Sequence, residues 1–230
     1  MPLMGHLDEL RKRLVISLVA VAVGGVGVYI FFGDLLALLS VPYKQISDEK
    51  LIATGVADQF LLRLTVSTYG GIIIAMPILL WELWRFITPG LNPKEKRYAV
   101  PFLLASIILF CAGAVIGWFT LEPALTFLYG AGDGQIQQLN TAKNYVNFVV
   151  LLFLAFGLSF EFPVVLVFLL IARVITTDQL RKGRRLAIVL ITVFAAVITP
   201  SQDPYSLLFM AVPMYLFYEG AILTGRILKR

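Results

Sequence analysis

An apolar run from Tyr145 to Ala172, broken by a single acidic residue, constrains this chain more than any other stretch. About 20 apolar residues are enough for a helix to cross the hydrocarbon core of a bilayer, so the run is long enough to span. Near its mid-depth stands Gly157-Leu158-Ser159-Phe160-Glu161-Phe162-Pro163. A carboxyl at that depth is costly to expose to lipid, so Glu161 is expected to face protein or water. Pro163 lacks a backbone donor and kinks a helix, which frees a carbonyl about one turn earlier. A polar group and a bent helix thus coincide inside the membrane. Two readings stay open: a neutral carboxyl bonded to a neighbouring helix for structural reasons alone, or a functional polar contact within the bilayer.

The rest of the composition fits that start. Of 230 residues, 59% are hydrophobic and 14% charged, where soluble domains average about 25% charged. The chain is therefore expected to be an all-α integral membrane protein, residues 1–230 forming one polytopic domain. The lone cysteine, Cys111, excludes an intrachain disulfide and is expected to pack in the core. The lone histidine, His6, has no Cys or His companion, so a metal site is not expected.

In chain order, residues 3–13 carry Met4, Leu7 and Leu10 at helical spacing among charges, which predicts a short amphipathic helix on the membrane surface. Spans are predicted at about 14–33, 64–86, 98–121, 145–172, 184–200 and 205–223. The first is not expected to be a cleaved signal peptide, since no A-x-A-like site closes it. The connection 33–59, which contains Pro42, is long enough to be partly structured or functional. Glu82 and Arg85 fall at the far end of the second span, where polar heads can reach the interface. Glu122-Pro123 is expected to end the third. The fifth has at most 17 residues, or about 25 Å, which is short of the ~30 Å hydrocarbon core. Its connection to the sixth, Thr199–Pro204, is a tight turn. No repeat relates the two halves, which weighs against transporters built from paired repeats.

Six spans put both termini on one side. The segments 11–13, 85–97, 173–185 and 226–230 on that side carry fifteen Lys and Arg; the other side carries Lys44, Lys50, Arg63 and Lys143. This bias places both termini in the cytoplasm. The same rule accounts for the basic face, so nucleic acid is not an expected partner.

No H-E-x-x-H, G-x-S-x-G or Gly-rich phosphate loop is present, and no enzyme activity or cofactor is expected. Acids on the cytoplasmic side are few. Glu9 sits in His6-Leu7-Asp8-Glu9-Leu10-Arg11-Lys12-Arg13, and Glu95 in the segment Phe86–Arg97. Each could pair with a neighbouring Arg or Lys at the surface, worth about 0–1 kcal/mol. Alternatively, two carboxylates on one face could bind a cationic peptide, because guanidinium meets carboxylate through two parallel hydrogen bonds.

Five motifs make the chain recognisable: H-L-x-E-L-R-x-R at His6–Arg13, F-x-x-P-x-L with E-K-R at Phe86–Arg97, G-L-S-F-E-F-P at Gly157–Pro163, T-P-S-Q-D-P at Thr199–Pro204, and A-V-P-M-Y at Ala211–Tyr215. In this order they resemble the twin-arginine translocase subunit TatC across essentially the whole chain. The turn Thr199–Asp203 is one residue longer than the family's T-P-P-D form. The resemblance implies a concave six-helix receptor in the bacterial cytoplasmic (inner) membrane, with a groove presenting Glu161 to partner helices. It implies recognition of twin-arginine signal peptides on folded cargo, work with single-span TatA- and TatB-type partners, self-association, and drive from the proton-motive force. Glu9 and Glu95 match the family's signal-peptide-binding acids, with Arg11, Phe86, Pro89, Leu91 and Arg97 in their surrounding motifs. Glu161 matches the intramembrane glutamate, and Pro42 and Asp203 match outer-side positions. The alternative is a proton-coupled small-solute transporter that uses Glu161 as its relay.

Overall fold

The structure, a computed structural model, describes residues 3–47, 51–90, 96–130, 141–201 and 203–227. Among the described residues the regular structure is helical, apart from one isolated bridge between Ile52 and Thr141. Among the described residues ten α-helices follow one another: α1 (Leu3–Ile30), α2 (Phe32–Leu39), α3 (Val41–Ile46), α4 (Asp58–Ile87), α5 (Ala99–Gly130), α6 (Ala142–Ser159), α7 (Phe162–Ile171), α8 (Thr177–Lys182), α9 (Arg184–Ile198) and α10 (Pro204–Ile227). Short 3-10 turns at Thr88–Gly90 and Lys96–Tyr98 flank the α4–α5 connection. Among the described residues, five helical segments are long and apolar enough to cross a membrane: Leu7–Ile30, Asp58–Ile87, Lys96–Gly130, Ala142–Ile171 and Pro204–Ile227. The predicted fifth span forms α9, whose 15 residues reach only about 22 Å. Many apolar side chains lie open: Leu14, Leu18, Val23 and Ile30 on α1 are each more than half exposed. A helix apolar all round is what lipid, rather than water, accommodates.

Three expectations need correcting. The amphipathic segment 3–13 and the first span are one unbroken helix, α1. No Gly or Pro lies between Glu9 and Leu18, and Leu, Arg and Lys are strong helix formers, so nothing stops the helix at Arg13. The third span does not end at Glu122-Pro123, because α5 runs on to Gly130 with Pro123 inside it. Leu121, Ala124 and Leu125 around that proline are all buried, and their packing carries the helix past the missing hydrogen bond. Cys111 is exposed rather than in the core; a helix in lipid can turn apolar side chains outward without cost.

The chain divides into two compact units, Met1–Leu103 with Leu139–Val150, and Leu104–Gln138 with Leu151–Arg230. In the first, α1 packs along α4. Their approach depends on Gly71, where a Cβ would stand 2.6 Å from the Gly25 nitrogen and 2.7 Å from the Val21 carbonyl oxygen. Helix propensity alone favours Ala over Gly by roughly 0.5–1 kcal/mol. Overpacking against rigid backbone costs about 1–3 kcal/mol and wins. Gly71→Ala is therefore expected to lower the melting temperature of the detergent-solubilised protein, and an unchanged or higher value would contradict this packing. The connection after α1 is structured as expected. Pro42 opens α3 and is buried beside Tyr43, whose ring meets Tyr145 at 5.2 Å between centroids. The Tyr145 hydroxyl donates to the Leu39 carbonyl at 2.7 Å.

In the second unit, α10 packs against α7, α8 and α9. The turn before α10 is held by Asp203, which is buried. Its carboxylate accepts from the Ser206 amide at 2.8 Å and from the Ser201 hydroxyl. Asp203 is thus the N-cap of α10, with Pro204 at the first helical position, a pairing favoured at helix starts. At the other end of α10, Arg184 Nη2 donates to Glu219 Oε2 at 2.7 Å, and the Tyr218 hydroxyl donates to the Leu180 carbonyl at 2.7 Å.

Candidate functional site

Two places combine polar chemistry with burial, one in each unit. The first lies where the N-terminal part of α1 meets the end of α4. Glu9 and Arg13 are four residues apart on α1, so they share a face. Arg13 Nε donates to Glu9 Oε1 at 3.1 Å, and its Nη2 bonds the same oxygen. Its Nη1 donates to Glu82 Oε2 of α4 at 3.0 Å. One guanidinium thus bridges two carboxylates from different helices. Burial is graded across the network, with side-chain exposures of 7% for Glu82, 15% for Arg13 and 21% for Glu9. Glu82 does not extend to the interface as expected but turns inward onto Arg13. Arg85 stays 58% exposed, with Nη1 4.0 Å from Glu82 Oε1. Asp8, Glu9, Lys12, Arg13, Ile16, Glu82 and Arg85 line a cavity of about 370 Å³. Three acids and three bases face it, so its charge is balanced while Arg13 stays in place.

A second cavity in the same unit, of about 450 Å³, is lined by Trp81, Trp84, Arg85, Thr88, Pro89, Lys96, Ala99, Val100 and Leu103. Arg85 lines both. Trp84 stacks on Phe102 at 5.0 Å between centroids, which fixes one wall. Of the predicted recognition residues, Pro89 lines this cavity and Phe86 is half-buried on α4. Arg97 is exposed, lying over the Tyr98 ring at 4.8 Å. Arg11 is exposed on α1. Glu95 and Leu91 lie outside the described residues. The network therefore contains Glu9 from the predicted set, together with Arg13 and Glu82, to which sequence analysis gave no role there. The Glu9–Arg13 spacing signalled a pair; nothing in the sequence signalled Glu82, which is 69 residues from Arg13.

The second place is Glu161. The predicted bend is present: α6 stops at Ser159, α7 starts at Phe162, and Phe160 and Glu161 form the turn between them. Pro163 falls in the first turn of α7, where its missing N–H is tolerated. Gly157 lets α5 approach, since a Cβ there would stand 2.5 Å from the Phe110 ring. Phe160 is buried edge-on against Phe217 at 5.2 Å. The Ser159 hydroxyl donates to the Ala155 carbonyl at 2.6 Å. Glu161 is half-buried, and Ser106 on α5 is a polar neighbour of its carboxyl. Its Oε1 is buried and has no hydrogen-bond partner among the described residues. No group of three or more metal-ligating side chains occurs among those residues.

A helical protein with several bilayer-length apolar helices, a guanidinium held between a buried and a partly buried carboxylate, and an acid at a helix break defines a multi-span membrane protein with built polar sites. A family profile described as Sec-independent protein translocase protein (TatC) matches residues 5–213. The TatC protein of Frankia casuarinae is 39% identical over 98% of this chain, which spans 65% of that relative's length. The TatC protein of Deinococcus radiodurans is 36% identical over 99% of this chain and 87% of the relative. A crystal structure described as the twin-arginine translocase receptor TatC superposes with a TM-score of 0.81 at 38% identity, covering 98% of this chain and 100% of that one. The chain belongs to the TatC family of Sec-independent protein translocases, which are not enzymes.

Proposed function

We propose that this chain is the receptor subunit of a twin-arginine protein export system in a bacterial cytoplasmic membrane. Glu9 and Glu95 receive the paired arginines of a cargo signal peptide on the cytoplasmic side. Arg11, Phe86, Pro89, Leu91 and Arg97 shape the surrounding surface. Glu161 is the intramembrane contact for TatA- or TatB-type single-span partners, with transport driven by the proton-motive force and copies of the chain associating in the complex. One observation carries the recognition half: Glu9 already holds a guanidinium, that of Arg13, in a partly buried cavity. Guanidinium–carboxylate pairing is the chemistry an arginine pair would use. For the partner half, the support is a buried Glu161 oxygen with no hydrogen-bond partner among the described residues, in a segment apolar enough to cross a membrane.

The test is titration of an isolated twin-arginine signal peptide into the detergent-solubilised protein. Saturable binding is expected, weakening as salt rises, because partly exposed charges are screened. A peptide with lysines in place of the arginines should bind less well, since an ammonium cannot pair through a planar fork. A small-solute transporter would ignore both peptides. The proposed topology has six spans, α9 being the short one, with both termini cytoplasmic. Reporter fusions after Arg230 and within Pro93–Lys96 should report cytoplasm, and fusions near Asp48 and Asp133 the outside. An outward C-terminus would defeat that arrangement.

A further inference from the structure

We propose that Arg13 is a resident guanidinium that occupies Glu9 while no cargo is bound, and that Glu82 is the carboxylate that keeps Arg13 when an incoming arginine takes Glu9. This rests on the reading of Glu9 as a cargo-binding acid. The geometry supplies the rest. Arg13 splits its donors: Nε and Nη2 go to Glu9, and Nη1 goes to Glu82 at 3.0 Å. The guanidinium can therefore surrender one carboxylate and remain paired to the other. The burial gradient sets which one it surrenders. Glu82 is the most enclosed and Glu9 the most open of the three, with exposures of 7% and 21%. The exchangeable end thus faces the side from which a peptide arrives.

The charge count points the same way. A guanidinium left unpaired in a partly buried site is strongly unfavourable. Without Glu82, releasing Glu9 would strand Arg13, and Arg13 would hold Glu9 against any competitor. With Glu82, an arriving arginine replaces one guanidinium on Glu9 by a chemically identical one, and neither charge is orphaned. Arg85, 4.0 Å from the other Glu82 oxygen and mostly exposed, adds only a weak rival for that carboxylate. Arg13 on this account is a built-in competitor, which lowers the site's affinity for a single stray arginine side chain and favours a ligand that brings further contacts. Glu82 is a positioning residue.

The experiment measures the Kd of a twin-arginine signal peptide for the full chain in detergent, together with the melting temperature of each variant. Arg13→Gln removes the competitor and is expected to tighten binding about 10-fold, the scale of one charge-assisted pair. Glu82→Gln removes the holder and is expected to weaken binding about 10-fold. In the double variant the loss should vanish, because without Arg13 there is nothing for Glu82 to hold, and affinity should match Arg13→Gln alone. A purely structural role for Arg13 predicts the opposite sign: both single variants weaken binding and the double is no better than the worse one, which overturns the proposal. Should Arg13→Gln unfold the protein, Arg13→Lys serves instead. An ammonium lacks the planar fork that sends two donors to Glu9 and a third to Glu82, so it holds Glu9 less firmly, tighter binding is again expected, and weaker binding overturns the idea. Glu9→Gln separates the two claims. If it leaves wild-type affinity unchanged, or the wild type binds no peptide, the assignment of Glu9 fails and the exchange fails with it. If Glu9→Gln weakens binding but Arg13→Gln does not strengthen it, the assignment stands and only the exchange is lost.

Discussion

Glu95→Lys is expected to reduce affinity for a twin-arginine signal peptide at least ~10-fold, measured by the same titration. The size of the loss decides between two accounts of the acid. A solvent-exposed ion pair contributes about 0–1 kcal/mol, so breaking one would change affinity less than about 6-fold. A hydrogen bond to a charged group in a sheltered site contributes about 1.5–3 kcal/mol, which is more than 10-fold. The reversal also adds a positive charge to a segment that already holds Lys94, Lys96 and Arg97, so an incoming arginine meets repulsion where it met its partner. The loss should be largest at low ionic strength, where the Debye length is about 30 Å at 0.01 M, and should shrink toward physiological salt. Normal binding by Glu95→Lys would place the recognition site elsewhere.

The second large effect concerns transport rather than binding. Glu161→Ala is expected to abolish export and the docking of a single-span partner helix, while signal-peptide affinity stays at the wild-type value. Ser106 on α5 is the polar neighbour of this carboxyl among the described residues, and losing even a full hydrogen bond there would cost about 0.5–1.5 kcal/mol. For a chain this size that is a fall in melting temperature of only a few degrees, roughly 2–4 °C per kcal/mol. A polar contact between helices in lipid is worth about 0.6–2 kcal/mol, which suits a partner that must come and go. Glu161→Gln places an acceptor and a donor at the same position and should retain much of the activity. The deciding pair of measurements is crosslinking from the Glu161 neighbourhood to a TatA- or TatB-type helix, and melting temperature. Unchanged crosslinking and export in Glu161→Ala would defeat docking. A large loss of stability, with signal-peptide binding lost as well, would make the residue structural.

How far the sequence could be read follows from which forces are local. The bend at Phe160–Glu161 was legible because a single residue, Pro163, causes it through its missing donor. The cap at Asp203 lay in a motif that could be seen, since Asp followed by Pro is a local signal for a helix start. The shortness of α9 was countable. By contrast, the end of α5 was misplaced because Pro123 is a local breaker overruled by the packing of Leu121, Ala124 and Leu125, and packing is not local. Cys111 was misjudged because burial in a bilayer protein cannot be inferred from apolarity when both faces of a helix are apolar. Glu82 is the most instructive case. Its position near the end of an apolar run fits a side chain reaching for the interface equally well. Only the crossing of α1 and α4, set by Gly71 and Gly25, brings it to Arg13. The candidate site was legible where it consisted of motif residues, such as Glu9 and Glu161, and illegible where it consisted of a contact between helices distant in sequence.

The central claim is that the arginine pair of a signal peptide is received at the Glu9–Glu95 face. The measurement that tests it most directly is site-specific photocrosslinking from Phe86 and from Pro89, whose cavity shares Arg85 with the cavity of Glu9, with Tyr43, which the proposed topology assigns to the outer side, as control. The account predicts that label from positions 86 and 89 transfers to peptide residues next to the two arginines, that lysine replacement of those arginines abolishes it, and that position 43 labels nothing. Label from position 86 or 89 that persists without the arginines, or that appears only from position 43, would contradict it.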